Sequence, residues 1–200
     1  MNTELLDEML ESPHLLIAGM TGSGKSVLLN QLIARMNPGK EAGLICIDLK
    51  RVELIDWKES SMAYADDENG AINLLTAVIE AIDRRYREMQ KKHIKLWEGA
   101  DIYVCIDELA DLMVTCRKQV EPLLIRIGQI GRAARVHLVM ATQQPSAKII
   151  PTAIKLNCER VALHCMTSTQ SKQIIEQSGA ELLPRYGWCI WQGKRREITL

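Results

Sequence analysis

Apolar residues in this chain fall into two patterns. In one they form short unbroken runs, and in the other they recur every three or four positions. The unbroken runs predict buried strands over 14–18, 43–49, 102–106, 136–141 and 160–165. Between them, Leu28, Leu29, Leu32, Ile33 and Met36 step at helical spacing until Asn37, Pro38 and Gly39 end the pattern. Ile72, Leu75, Ile79, Ile82, Tyr86 and Met89 mark one stripe of a long helix. Val120, Leu123, Leu124, Ile127, Ile130 and Ala134 mark another amphipathic helix, and 168–177 a further one. Residues 187–192 and 195–199 flank Gly193 and Lys194 and predict a terminal hairpin. Strands alternating with helices imply an α/β fold with a mostly parallel sheet flanked by helices.

Composition narrows this without changing it. The 200 residues predict a single domain over 1–200, with 47% hydrophobic and 25% charged residues, which excludes a disordered or low-complexity chain. Lys+Arg and Asp+Glu each total 25, so the formal net charge is zero. That balance argues against a monomer that coats nucleic acid non-specifically, while leaving room for local basic patches. Six cysteines lie without a C-x-x-C pair, several inside strand-like runs, and read as reduced, buried hydrophobes of a cytoplasmic protein. No apolar run approaches the roughly 20 residues that span a bilayer. Glu4, Asp7, Glu8 and Glu11 make the N-terminus too acidic for a signal peptide.

Chemistry enters at the first turn. Gly19, Gly24, Lys25 and Ser26 fit the spacing G-x-x-x-x-G-K-S/T, between an expected strand and an expected helix. Glycines let consecutive N–H groups of Thr21, Gly22, Ser23 and Gly24 turn inward toward phosphate oxygens, and the helix N-terminus adds its positive end. Lys25 reaches the outer phosphates and the Ser26 hydroxyl can ligate Mg²⁺.

Asp107 and Glu108 end the strand over 102–106, at the sheet edge where ligands of open α/β folds bind. Asp107 suits Mg²⁺, and Glu108 suits the base that orients and deprotonates an attacking water. The alternative is a polar residue followed by a helix N-cap. A base beside the water site favours a hydrolysing ATPase over a kinase, for which no acceptor pocket is legible. Gln143 closes the next strand, either as a group that touches the γ-phosphate or water, or simply as a polar strand end. Arg84, Arg85, Arg87, Lys91, Lys92 and Lys95 are either a nucleic-acid patch or the solvated face of the long helix.

Taken in order, these segments resemble the motor domain of the FtsK/SpoIIIE DNA translocases, within the FtsK–HerA group, over roughly residues 13–192. The run 14–27, ending in Lys25, Ser26 and Val27, is similar to the family's phosphate-loop segment. Asp48, Lys50, Glu53 and Leu54 resemble its D-P-K-x-x-E-L motif, with Leu49 in place of Pro. Asp83 to Tyr86 resembles E-R-R-Y, and Asp107, Glu108, Ala110, Asp111, Leu112 and Met113 resemble D-E-x-A-D-L-M. Ala141 to Ser146 resembles A-T-Q-R-P-S, with Gln144 replacing the family's Arg.

The resemblance implies a RecA-like P-loop ATPase that uses ATP and Mg²⁺. It implies a homo-oligomer, usually a hexameric ring around double-stranded DNA, with ATP bound between subunits. Gly19, Thr21, Gly22, Ser23, Gly24, Lys25, Ser26 and Val27 would then hold nucleotide. Ser26 and Asp107 would hold the metal, and Lys25, Glu108 and Gln143 would carry catalysis. A ring motor needs a cation from its neighbour. Arg126, Arg132, Arg135 and Arg160 are candidates; Arg132 is preferred because it matches a family arginine, whereas Arg135 falls where the family tends to have Gly. Arg117, Lys118, Lys148 and Lys155 match places where the family carries pore loops for DNA. Lys50 and Glu53 are either nucleotide-proximal or structural ion-pair partners.

The expectation is therefore a compact motor without membrane or winged-helix modules, or a fragment of a longer protein, which moves DNA in conjugative transfer, packaging or segregation. A partner protein would then supply DNA recognition or a membrane tether. The alternatives are a secretion ATPase of the same group that moves polypeptide, and a nucleotide-binding module with little turnover.

Overall fold

The computed structural model describes residues 3–198. Helix α1 (Thr3–Leu10) leads into β1 (Leu15–Ala18), α2 (Lys25–Met36) and β2 (Ala42–Ile47). Then follow β3 (Ala63–Ala65), α3 (Glu68–Lys92), β4 (Asp101–Ile106), α4 (Leu109–Thr115) and α5 (Arg117–Ile130). The chain closes with β5 (Val136–Thr142), α6 (Thr152–Lys155), β6 (Glu159–Ala162), α7 (Ser168–Ile175), β7 (Trp188–Trp191) and β8 (Lys194–Glu197).

All eight strands join one sheet in the order β3-β2-β4-β5-β1-β6-β7-β8. Strands β3 to β6 in that order run parallel, and β7 and β8 pair antiparallel. Alternation along the central strands assigns the faces. Val104, Ile106, Leu138 and Met140 point into one cluster with Leu75, Ile82, Leu112, Leu124 and Ile127 of α3, α4 and α5. Tyr103, Cys105, Val139 and Ala141 point the other way, onto Leu5, Met9, Leu28, Leu32 and Ile33 of α1 and α2. Helices therefore cover both faces, as parallel sheets require.

The expected strands and helices are present, with shifted ends. Strand β2 stops at Ile47 rather than 49, because the Asp48 carboxylate accepts from the backbone N–H of Arg51 (2.9 Å) and Leu54 (3.0 Å) and turns the chain. Strand β6 covers 159–162 instead of 160–165. The helix expected to run to Ala134 ends at Ile130. The terminal hairpin turns on Gln192 and Gly193, both at positive φ (49° and 72°), so β8 begins at Lys194. Thr199, part of the expected second hairpin strand, lies outside the described residues.

Four elements, α1, β3, α4 and α6, go beyond the strands and helices expected above. Helix α1 buries Leu5, Leu6 and Met9, and its Asp7 pairs with Arg35 of α2. Strand β3 is three residues long, and α6 four. All six cysteines are unpaired and buried, and burial pushes the Cys46 and Cys189 thiols up to about 12. No helix among the described residues is long and apolar enough to cross a membrane.

The E-R-R-Y-like segment has a structural job. Arg85 donates to the carbonyls of Ala134 (2.6 Å), Arg135 (3.1 Å) and Ala100 (2.9 Å), and the Tyr86 hydroxyl donates to Ile130 (2.9 Å). These contacts tie α3 to the segments that lead into β4 and β5.

Candidate active site

The parallel strands deliver their carboxyl ends to one edge. There β1 leads into the glycine loop, β2 into Asp48–Glu53, β4 into Asp107 and Glu108, and β5 into Gln143. The chain crosses from β1 to β2 over β4 and β5, the kind of switch in strand order at which a ligand crevice opens.

The loop is anchored on both sides. Gly19 N–H donates to Thr142 O (3.3 Å), and Met20 N–H to His164 O (2.9 Å). Gly19 is required by packing: a Cβ there would stand 2.6 Å from Ser23 Oγ and 2.8 Å from Leu163 Cβ. Gly24 is required by conformation, because it caps α2 at φ 93°. Lys25 then opens α2, so the loop amides and the helix N-terminus face the same space. That space is a cleft of about 300 Å³, lined among others by Thr21, Lys25, Ser26, Val27, Glu53 and Gln143.

Donors in this loop are underused. The Ser23 hydroxyl is buried without a hydrogen-bond partner, and Lys25 Nζ donates to the carbonyl of Met20 in its own loop at 3.1 Å. Burial lowers the Lys25 pKa, while Glu108, Asp107 and Glu53 pull it back up. A buried cation, an orphaned hydroxyl and a helix N-terminus fit a polyphosphate.

Acceptors on the facing strand ends are crowded. Lys25, Asp107 and Glu108 are each no more than 8% exposed. Burial first, then the charges of Glu53, Asp48 and Glu108, push the Asp107 carboxyl up to about 7, against the pull of Lys50. Lys50 itself forms an ion pair with Asp111 at 3.1 Å. No cluster of three or more His, Cys, Asp or Glu among the described residues is disposed to hold a metal by itself. Mg²⁺ in phosphate sites takes few protein oxygens and fills its shell with phosphate and water, so a Ser26 hydroxyl and an Asp107 carboxylate in this negative field fit it.

Glu108 performs the bland role and remains at the site. Its carboxylate caps α4 by accepting from Ala110 N–H (3.2 Å). The same carboxylate accepts from Gln143 N–H at 3.0 and 3.2 Å. Gln143 Oε1 in turn accepts from the Thr21 hydroxyl at 2.7 Å. A hydrogen-bonded line thus runs from the glycine loop through the end of β5 to the β4 carboxylate.

The basic candidates sort differently. Arg132 sits in the turn before β5, at the amino edge, and its guanidinium makes no hydrogen bond or ion pair among the described residues. Arg135 is taken by Asp101 at 2.6 and 2.7 Å, and Arg160 by Glu176 at 2.6 Å. Arg126 is exposed on α5. Lys118 and Lys148 are exposed and unpaired among the described residues. Arg117 pairs with Glu121 (2.7 Å) and donates to the Lys148 carbonyl (2.7 Å), so it braces the segment that carries Lys148.

Lys155 departs from the expectation of a DNA contact. Its ammonium donates to Pro145 O (2.6 Å) and Gln173 O (2.8 Å), and burial lowers its pKa. It holds the loop after β5 against α7, with two of its three N–H groups engaged by carbonyls of its own chain. Two residues beside the cleft carry no motif: Tyr186 lines it, and the Arg185 guanidinium lies over Gly22.

A family model described as the FtsK/SpoIIIE family matches residues 2–101 and 98–147. The DNA translocase FtsK of Chlorobaculum tepidum is 34% identical over 97% of the chain, and that of Leptospira interrogans is 39% identical over 86%. The chain spans only 27% and 21% of those proteins' lengths. Among solved structures, the pCW3 conjugation coupling protein TcpA, in its monomer form with ATPγS, matches at a TM-score of 0.84 and 24% identity. That match covers 96% of this chain and 60% of TcpA. The cytoplasmic domain of the type VII secretion ATPase EccC of Thermomonospora curvata matches at 0.71 and 20% identity, over 93% of this chain and 25% of EccC. At these identities the structural likenesses establish the fold alone.

Proposed function

Because the chain belongs to the FtsK/SpoIIIE family, we propose that it is the ATP-hydrolysing motor unit of a double-stranded DNA translocase, working as a head-to-tail homo-oligomeric ring. The observation that carries this reading is the hydrogen-bonded line Thr21–Gln143–Glu108, which joins the phosphate-holding loop to a buried carboxylate. Family membership alone does not require that line.

In this reading the loop amides and Lys25 bind the phosphates and orient the γ-phosphate. Bound Mg²⁺, held by Ser26 and Asp107, supplies charge neutralisation on the phosphate oxygens. Glu108 accepts a proton from the attacking water at a carboxylate oxygen, and Gln143 orients that water through its side-chain amide. Its hydrogen bonds to Ala110 and Gln143 leave a lone pair on the Glu108 Oε2 for that water.

Arg132 serves a neighbour. β5 has seven residues. At about 3.3 Å per residue it spans roughly 20 Å, so a group before its first residue cannot reach its own nucleotide. Its lack of a partner supports the same assignment. Lys118 and Lys148 contact DNA phosphates without reading sequence.

The test is steady-state ATP hydrolysis at low salt, with linear duplex DNA, single-stranded DNA or neither. Lys25→Ala is the blank. Strong stimulation by duplex that fades with added salt is the expected result. Turnover indifferent to any DNA sinks the DNA reading and directs attention to a polypeptide substrate.

A further inference from the structure

We infer that Arg185 and Tyr186, on the turn before β7, form a second wall of the nucleotide pocket, with the Arg185 guanidinium binding phosphate oxygens and the Tyr186 ring packing on the base. This rests on the nucleotide-binding reading above. It extends that site to residues more than 150 positions away in sequence from the glycine loop.

The turn is held rigidly from both sides. Leu183 is buried among Cys165, Ile174 and Ala180, and its carbonyl accepts from His164 Nδ1 at 2.8 Å. His164 also accepts Met20 N–H of the glycine loop with its own carbonyl, at 2.9 Å. One residue thus fixes the spacing between the loop and the turn. On the far side the Gly187 carbonyl accepts from Ile198 N–H (2.8 Å), and Gly187 adopts φ 80° to enter β7. Pro184, Arg185 and Tyr186 stand exposed between these anchors.

Tyr186 lines the cleft and Arg185 lies against Gly22 at its rim. Arg185 Nη2 and Nε lie 3.4 and 3.7 Å from where a Cβ on Gly22 would stand, so the guanidinium rests on the loop backbone. It has no carboxylate and no hydrogen-bond acceptor among the described residues. The loop it rests on already carries Lys25 and a helix N-terminus, so a second cation there is best answered by an anion bound at the loop. Tyr186 lines the same cleft as Thr21, Lys25 and Ser26 and is 49% exposed. An unpaired cation beside an uncovered aromatic face matches a nucleoside polyphosphate, which carries an anion at one end and a flat ring at the other. Stacking reads any base, so this wall adds affinity without choosing adenine.

The experiment is calorimetric titration of the full chain with Mg²⁺-ATP and, as a base-free probe, with tripolyphosphate. Arg185→Ala should weaken both ligands by about tenfold, the size of a lost charge-assisted hydrogen bond. Tyr186→Ala should weaken ATP by roughly fivefold and leave tripolyphosphate unchanged, while Tyr186→Phe binds ATP like the wild type. If both alanine variants bind ATP as the wild type does while Lys25→Ala fails, the wall does not exist and the phosphate loop stands alone. If Tyr186→Ala weakens both ligands equally, the stacking role is overturned. If the wild-type chain binds neither ligand, the nucleotide-binding reading itself fails.

Discussion

The two edges of the central sheet both carry clustered charge, and they treat it in opposite ways. At the amino edge Asp101 meets Arg135 at 2.6 Å and His137 at 2.9 Å. Burial works to raise the Asp101 pKa, but those partners hold its carboxyl below the usual carboxylate range. At the carboxyl edge Asp107 meets Glu53, Asp48 and Glu108, and its carboxyl rises to about 7. The first cluster is closed, with each charge answered inside the chain. The second is left open, and open charge at a strand end is what a cation and a polyphosphate can answer. Arg132 breaks the pattern, since its guanidinium has no partner among the described residues at the closed edge, which is the basis for proposing that it serves a neighbour.

The comparison can be broken most forcefully at that exception. Arg132→Ala should lower DNA-stimulated turnover by roughly 10³-fold, the scale of a trans-acting arginine. Mixing Arg132→Ala with Lys25→Ala subunits should restore part of the activity, because some interfaces regain both groups. No recovery in the mixture would remove the arginine from the interface.

Glu108→Gln tests the open edge. It preserves an oxygen that caps α4, so the chain should fold and bind ATP, while turnover falls by about 10²- to 10⁴-fold. Loss of folding instead would mean that the capping role dominates.

Asp101→Asn tests the closed edge. It should cost about 1–3 kcal/mol in denaturant unfolding at pH 7 and leave turnover per folded chain unchanged. The folded pKa of Asp101 is depressed, so its contribution is present above about pH 4 and is lost as pH falls through the folded value.

Asp107 has the opposite sign. Its folded pKa of about 7 exceeds the ordinary aspartate value of 3.8, so the contribution is full below about pH 4 and is lost as pH rises toward 7. Without Mg²⁺ and nucleotide, Tm should fall between pH 5 and 7.5, and Asp107→Asn should flatten that slope. A flat wild-type profile would show that the open edge is already neutralised. The smallest effect is expected from Thr21→Val, which removes one hydrogen bond to Gln143 and should change kcat by roughly fivefold with KM little moved.

Much of the site was legible because its parts are local. Gly19 to Ser26 lie on one turn, so their spacing singles them out, and Asp107 with Glu108 follow one apolar run, where the glycine loop makes them candidates. The alternative readings of Glu108 were not rivals in the fold, because one carboxylate both caps α4 and faces Gln143. The long helix was legible from its stripe, but its basic run was not. Arg85 points inward onto three carbonyls while Arg84 and Arg87 stay exposed, a distinction that depends on what α3 packs against. Lys155 looked like a free cation for the same reason. Helix α1 repeats apolar residues at helical spacing, and only the fold shows that Leu5, Leu6 and Met9 are buried against α2 and the sheet.

The sequence by itself determined the α/β class, the glycine loop, the acidic pair and the family, since each depends on order and spacing along the chain. Only the tertiary structure decided which charges are answered. It set Arg135 against Asp101, gave Lys155 to two carbonyls, left Arg132 free at the far edge and laid Arg185 across Gly22. The physical reason is that pairing depends on distance and burial in space, and residues such as Gly22 and Arg185 become neighbours only when the sheet brings β1 and β7 to the same edge.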